Sequence, residues 1–472
     1  MNKIGIIDTV DTDELERQRE FIYAIRKNGK KNKKYICVTW GCQMNEHDSE
    51  NLSAMLEEME YETTDEEKDA DLVIYNTCAV RENAELKVYG NLSHLKIYKD
   101  KNPDMTIIVC GCMMQQKHIA DEIKSKYTHV DIVFGTHNIY KFPEMLYRHL
   151  QDRDKRIFEI WNTDGTLVEG LPGIQKFDVK SYVNIMYGCN NFCTYCVVPY
   201  TRGRERSRDH KNITDEVKRL VSEGKKEIIL LGQNVNSYGN TLSEKFSFSN
   251  LLEELNEIDG LERIRFMTSH PKDLSDDLIF AMANLSKVCE NLHLPIQSGS
   301  SAILKKMNRH YTKEDYYNLI DKLKNKIPNI TLTTDIMVGF PGETEEDFLE
   351  TLEVVEKVRY DSAFTFLYSM RDGTPAARMK NQISEEIKAD RFKRLLASVN
   401  KIAMEKNAEY KDKTVEVLVE SLSKRDKNKL TGRTRANKLV NFTSPDKEII
   451  GKIVQVKITE PKSFSLNGEI VL

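Results

Sequence analysis

Short apolar runs alternate with amphipathic stretches along this chain of 472 residues, and the alternation changes character twice. From Tyr35, apolar runs at Tyr35–Thr39, Leu72–Tyr75, Thr106–Val109 and Asp131–Phe134 are separated by helical periodicity near Asp48–Met59, Glu82–Lys96 and Gln115–Lys126. That order predicts a parallel sheet with helices on its faces. Turn residues (Asp164-Gly165, then Gly170-Leu171-Pro172-Gly173) end the first pattern. A second series follows, with runs at Tyr182–Met186, Glu227–Leu231, Arg263–Met267, Asn291–Pro295, Thr331–Met337 and Ala363–Leu367. Six strand–helix units suit a partial (β/α)6 barrel, closed by a helix over Glu385–Tyr410. The tail from about Thr414 is strand-rich (Val415–Val419, Leu439–Phe442, Ile449–Ile458, Glu469–Leu472) and predicts a small β-barrel. The expected fold is therefore α/β throughout 33–151 and 175–405, with an all-β module at 408–471. Residues 1–32 read as a flexible charged appendage: a helical stretch (Asp13–Arg26), then a basic linker (Lys27–Lys34).

Composition excludes several classes. Hydrophobic residues make up 40% and charged residues 31%, the profile of an ordinary soluble protein. No apolar run approaches the ~20 residues of a membrane helix. Met1–Glu20 is acidic and lacks the apolar centre of a signal peptide. The expected location is the cytoplasm, where thiols stay reduced. The nine cysteines then read as ligands more than as disulfides. Net charge is −4, yet Arg202, Arg204, Arg206, Arg208 and Lys211 crowd one stretch. Residues 411–472 carry thirteen Lys/Arg against eight Asp/Glu. Basic patches within an acidic whole suit a polyanion bound at chosen surfaces.

The candidate chemistry lies in two sets of cysteines. Gly188-Cys189-Asn190-Asn191-Phe192-Cys193-Thr194-Tyr195-Cys196 has the spacing C-x3-C-x2-C, with no fourth cysteine in the loop. Structural zinc closes a tetrahedron with four protein ligands. A four-iron cube held by three thiolates keeps one iron open for a substrate or cofactor. A zinc knuckle with a distant fourth ligand is the alternative. Cys42, Cys78 and Cys112 each follow one of the first three predicted strands. Open parallel sheets place function beyond the carboxyl ends of their strands. These three should therefore converge and form a second centre, the alternative being three unrelated loop cysteines. Cys37 and Cys110 sit in strand runs and read as core thiols; Cys289 has no ligand company.

The cysteine loop resembles that of the radical S-adenosylmethionine (SAM) superfamily, with Tyr195 at the aromatic position beside the adenine. Three further motifs narrow the resemblance to its methylthiotransferases: Thr39-Trp40-Gly41-Cys42-Gln43-Met44-Asn45, Asn76-Thr77-Cys78-Ala79-Val80-Arg81-Glu82 and Gly111-Cys112-Met113. The basic tail is similar to a TRAM domain, an RNA-binding module. The stretches from Val198 to Arg208 and from Leu231 to Gly239 resemble those of members that act on N6-(dimethylallyl)adenosine of tRNA. The likeness spans about residue 33 to the end.

The resemblance implies two 4Fe–4S clusters, one on Cys189, Cys193 and Cys196 that cleaves SAM to a 5′-deoxyadenosyl radical, and an auxiliary one on Cys42, Cys78 and Cys112 that carries the sulfur to be inserted. It implies that a methylthio group replaces the C2 hydrogen of the nucleoside at tRNA position 37, with the base lying between the two clusters. An electron donor such as flavodoxin or ferredoxin and a monomeric enzyme go with it. Expected SAM contacts are Tyr195, Gln233, Gln297, Gly339 and Gly342, each of the last four at a strand end. Expected RNA contacts are Arg202, Arg204, Arg206 and Arg208, which an extended segment would turn to one side, with Lys429, Arg433, Arg435 and Lys438 of the tail. An arginine close to the SAM site could instead pair with a carboxylate inside the protein. Two rival readings stand beside this one: the same chemistry on a ribosomal protein, and a non-catalytic, metal-stabilised RNA-binding protein.

Overall fold

The computed structural model describes residues 10–29, 31–79, 82–161, 169, 178–444 and 446–471, with residues 82–84 in backbone only. Val80, Arg81 and the turn-rich stretch around Asp164-Gly165 and Gly170–Gly173 lie outside these residues. The chain forms two compact units. One contains Met1–Lys176, Tyr187–Asn190 and Cys196–Arg206; the other contains Phe177–Met186, Asn191–Tyr195 and Ser207–Leu472.

The first unit is built on a six-stranded parallel sheet in the order β2-β1-β3-β4-β5-β6. These strands are β1 (Lys34–Trp40), β2 (Glu62–Thr63), β3 (Leu72–Thr77), β4 (Thr106–Gly111), β5 (Ile132–Phe134) and β6 (Ile157–Glu159). β3 and β4 are buried at every position, as a sheet covered on both faces requires. Helices α2 (Gln43–Glu58), α3 (Glu82–Lys101), α4 (Lys117–Lys126) and α5 (Phe142–Gln151) connect them. The short edge strands β2 and β6 escape the sequence pattern, because Glu62-Thr63 is polar and Ile157-Phe158-Glu159 offers two apolar residues, whereas the equally short β5 is wholly apolar.

The expected appendage is, over its helical part, a docked element. Helix α1 (Thr12–Asn28) buries Ile22 and Ile25 in the same core as Leu52, Leu56 and Leu146. Each such burial is worth about 1.5–3 kcal/mol against exposure. Gln18, also buried, accepts from the Glu144 amide (3.1 Å), and Lys141 pairs with Glu14 (2.8 Å). The low apolar content of the stretch hid this role: three buried positions suffice to dock it.

The second unit carries the six expected barrel strands. Lys180–Asn184, Glu227–Leu231 and Arg263–Phe266 form one parallel sheet; Asn291–His293, Thr331–Val338 and Ser362–Leu367 form another. A parallel bridge between Ile264 and Val288 lies between them. The helix Glu385–Ala408 leads to a closed five-stranded barrel ordered Thr414–Leu422, Leu430–Thr434, Leu439–Thr443, Leu466–Ile470, Ile453–Pro461. Its second strand, Leu430–Thr434, is missing from the sequence pattern. Gly432 sits where a Cβ would come within 2.2 Å of the Leu418 carbonyl oxygen. The close strand approach demands a glycine that reads as a turn.

Candidate active site

Cys42, Cys78 and Cys112 follow β1, β3 and β4, which are neighbours in the sheet. A buried amide network ties those three strand ends together. Asn45, in the first turn of α2, donates to the Asn76 side chain (3.0 Å) and to the Thr77 carbonyl (3.2 Å). Asn76 donates back to the Asn45 carbonyl and to Ser49 (2.9 Å each), and Ser49 meets Thr39 of β1 (2.7 Å). Gly111 precedes Cys112 with φ +100°, and a Cβ there would lie 2.5 Å from the Thr77 carbonyl oxygen. Only glycine lets β4 end so close to Cys78.

Cys78 and Cys112 are buried, and Cys42 is half-buried. Burial pushes the Cys112 thiol up to about 12; Arg202 opposes the shift, while Cys78, Cys42 and Asp48 add to it. Two other cysteines thus lie within electrostatic reach of the third. Cys110 is fully buried in the core, as expected, and Cys37 packs half-buried against it. All nine cysteines are free thiols.

The loop Cys189–Cys196 is divided between the units. In the first, the Cys189 amide donates to the Gly203 carbonyl (3.2 Å), and Val197 packs with Ala79 and Cys112. Thr136 caps the Thr201 carbonyl (2.7 Å). Residues 187–190 and 196–206, expected in the barrel domain, thus belong to the N-terminal unit.

The arginine run does not form a solvent-facing stripe. Arg202 is buried, donating to Cys112 Sγ (3.0 Å) and pairing with Asp48 (2.7 Å). Arg206 is buried against the Arg204 and Arg202 carbonyls (2.7 and 3.2 Å). In the second unit Arg208 is buried against Glu216 (2.8 Å) and the Asn184 carbonyl (2.6 Å). Arg204 is exposed.

In the second unit, backbone bonds from Thr194 to Met307 (3.1 Å) and from Ala376 to Thr194 (2.9 Å) fix residues 191–195. Asn308 donates to the Asn191 and Phe192 carbonyls (3.1 Å each). Arg309 is buried and donates to Cys193 Sγ (3.5 Å) and the Pro295 carbonyl (2.8 Å). Tyr195 stands edge-on to Phe340 (6.5 Å) beside Met307 and Tyr368.

Gln297, Gly339 and Gly342 all have positive φ at carboxyl ends of strands. Gln297 bridges to Ile336, and the Gly339 amide donates to buried Glu343 (3.0 Å), which Arg391 pairs (2.8 Å). Gln233 follows the strand Glu227–Leu231 on the same rim. Asn234, beside Gln233 in the Leu231–Gly239 stretch, lies there too, and Ser269 and His270 were not singled out from sequence. Among the described residues, Asn234 Oδ1, Ser269 Oγ and His270 Nε2 are buried without a protein hydrogen-bond partner. Burial, with Arg309, Lys272 and His310 nearby, pulls His270 down to about 2, so its ring is neutral. Unpaired buried polar atoms are costly unless something else meets them.

Family models match three segments: the radical SAM superfamily over residues 183–355, the uncharacterized protein family UPF0004 over 34–135 and the TRAM domain over 408–471. The chain is 60% identical over 470 residues to tRNA-2-methylthio-N(6)-dimethylallyladenosine synthase of Clostridioides difficile (strain 630), covering 98% of each chain. It is 61% identical to the protein of that name from Alkaliphilus oremlandii (strain OhILAs), again over 98% of each. The chain belongs to the tRNA-2-methylthio-N(6)-dimethylallyladenosine synthase family. Among solved structures, a radical SAM methyltransferase from Kitasatospora setae aligns at a TM-score of 0.55 with 14% identity, over 73% of this chain and 75% of that one. That likeness concerns the fold alone.

Radical SAM membership implies SAM and a 4Fe–4S cluster, and the loop's three thiols are the soft donors such a cluster takes. Among the described residues, no three His, Cys, Asp or Glu side chains crowd closely enough to hold one metal ion. Ligands of a four-iron cube sit on different irons and stand farther apart than ligands of a single ion. Thiolates alone, with a buried guanidinium beside one sulfur in each set, fit an anionic iron–sulfur cluster better than a single zinc.

Of the tail residues expected to meet RNA, Arg433, Arg435 and Lys438 have partners within the protein. Arg435 pairs through two nitrogens with Glu290 (2.8 and 2.9 Å) and donates to the Val288 carbonyl (2.7 Å). Lys438 pairs with Asp361 (2.9 Å), and Arg433 with Glu420 (3.5 Å). The Arg435 and Lys438 side chains hold the tail against the central barrel, while Arg433 pairs within the tail itself. Lys429 is half-buried, while Lys424, Arg425 and Lys427 in the same loop are exposed.

Proposed function

We propose that this chain converts N6-(dimethylallyl)adenosine at tRNA position 37 to its 2-methylthio derivative, using two 4Fe–4S clusters. One is held by Cys189, Cys193 and Cys196, the other by Cys42, Cys78 and Cys112. The observation that carries the reading is the convergence of three cysteines, 36 and 34 residues apart in sequence, at adjacent strand ends fixed by a buried amide network. The target C–H lies on an aromatic ring and is not acidic, so a side-chain base is a poor candidate. When bound, the clusters and SAM supply the one-electron and sulfur chemistry.

The chain's own residues hold and orient. Arg309 offers an N–H to Cys193 while its other nitrogens are fixed by Pro295 and Tyr311. Tyr195, packed against Phe340, presents an aromatic edge for an adenine. Gln233, Asn234, Ser269, neutral His270 and Gln297 offer polar atoms to the amino, carboxylate and ribose groups of SAM. Gly339 and Gly342 let the backbone approach it. Arg204, Lys424, Arg425, Lys427 and Lys429 supply positive charge for tRNA phosphates.

A one-electron donor of flavodoxin or ferredoxin type, a monomeric state and a cytoplasmic location complete the reading; no described helix is long and apolar enough to cross a membrane. The test is nucleoside mass spectrometry on tRNA from cells lacking this protein. Loss of the methylthio nucleoside, restored by the wild-type gene, is expected. Its persistence without a second enzyme, or a modified ribosomal protein in its place, defeats the reading.

A further inference from the structure

Arg202 poses a question that tRNA binding does not answer. It lies in the N-terminal unit with Asp48 and Cys112 and is 5% exposed, Asp48 4%. Its Nε–H points at Cys112 Sγ (3.0 Å) while Nη2 pairs with Asp48 Oδ2 (2.7 Å). Its backbone is fixed too: the amide bonds to the Val198 carbonyl (2.8 Å), and the Arg202 carbonyl accepts from Arg206 (3.2 Å). The guanidinium is therefore aimed from both ends. Burying an ion pair gains little net stability over an apolar pair of similar volume. Stability alone does not account for a guanidinium placed between a carboxylate and a sulfur.

Cys193 provides an internal contrast. Arg309 also donates to its sulfur (3.5 Å), but among the described residues no carboxylate pairs with Arg309. One guanidinium is neutralised by an acid and the other is not. Net charge around a cluster and hydrogen bonds to its sulfurs set its reduction potential; partners of the ligands tune a metal site.

We infer that Arg202 and Asp48 are a positioning pair that sets the reduction potential of the auxiliary cluster through the sulfur of Cys112. Arg202 stabilises the reduced, more negative cluster by its charge and its N–H···S bond. Asp48 orients that bond and, by its own charge, holds the potential down. The pair thus acts with opposite signs. This rests on the reading that Cys42, Cys78 and Cys112 hold a cluster.

The full chain with Cys189, Cys193 and Cys196 changed to Ala, reconstituted anaerobically with iron and sulfide, isolates that centre. Iron per chain and the midpoint potential, followed by electron paramagnetic resonance, are the readouts. Arg202→Gln is expected to lower the equilibrium constant for one-electron reduction at least tenfold, about 59 mV. Arg202→Lys keeps the charge and gives a smaller drop. Asp48→Asn is expected to raise the potential. If Arg202→Gln does not load iron, the Arg202→Lys and Asp48→Asn pair decides, with the same opposite signs expected. Shifts of equal sign, or none in loaded protein, overturn the inference, since a merely structural pair would not move the potential in opposite directions. A parent protein that takes up no iron instead defeats the cluster reading, and the inference with it.

Discussion

The two ends of the central barrel are built on different rules. At the amino ends of the strands, charged side chains find partners: Arg263 pairs with Glu416 (2.7 Å), Arg265 with Glu227 (2.9 Å), Lys438 with Asp361 (2.9 Å) and Arg435 with Glu290. The Arg265 guanidinium also donates to the Thr434 and Arg435 carbonyls (2.7 Å each). At the carboxyl ends, Asn234, Ser269 and His270 keep buried polar atoms that no group among the described residues meets. Thr268 and Gln297 there hold a left-handed backbone (φ 69° and 71°), unusual for residues with side chains. One end is cross-linked by ion pairs and holds a neighbouring module, although Arg263 Nε and Glu227 Oε1 there lack a hydrogen-bond partner among the described residues. The other stores unmet polarity and strain, as a ligand-binding rim does.

This contrast can be broken or sharpened by substitution. The largest effect belongs to the cysteines: Cys193→Ala, like Cys78→Ala, should abolish methylthiolation in nucleoside mass spectrometry, and retained wild-type product from either would remove that cluster. At the carboxyl rim, Gln297→Ala should cost roughly 10- to 100-fold in kcat/KM, the worth of one or two lost ligand hydrogen bonds, with Tm unmoved. At the opposite end the pattern should invert. Lys438→Ala leaves the half-buried Asp361 without its cation and should cost about 1–3 kcal/mol in chemical denaturation, while tRNA affinity of the folded protein stays put. A loss of affinity without a loss of stability would return Lys438 to the RNA surface. The smallest change is Arg204→Gln at an exposed position, expected to weaken tRNA binding a few-fold and to reduce the salt slope by about one.

Sequence patterning recovered the fold well where elements are long and regular. Glu227–Leu231 has the expected bounds, and all six barrel strands and the first four long helices lie where the alternation put them. It failed where identity is local but consequence is distant. Alternation of Arg202, Arg204, Arg206 and Arg208 suggests one exposed face; in the fold, Arg202 caps the short helix Val198–Thr201 and three of the four guanidiniums turn inward. Asn45 and Asn76 flank the cysteines in the quoted motifs, so their part in the network had a signal. His270, Ser269 and Arg309 had none.

The chain's own order determined the periodicities, hence the parallel sheets, and the nine-residue loop that carries three thiols at C-x3-C-x2-C spacing. Tertiary structure decided which charges face water. Asp48 and Arg202 are 154 residues apart, and their meeting beside Cys112 depends on packing that no window of sequence contains. A buried charge survives only with a partner in place, so the fold, by supplying partners, chose which arginines serve the interior and which stay exposed.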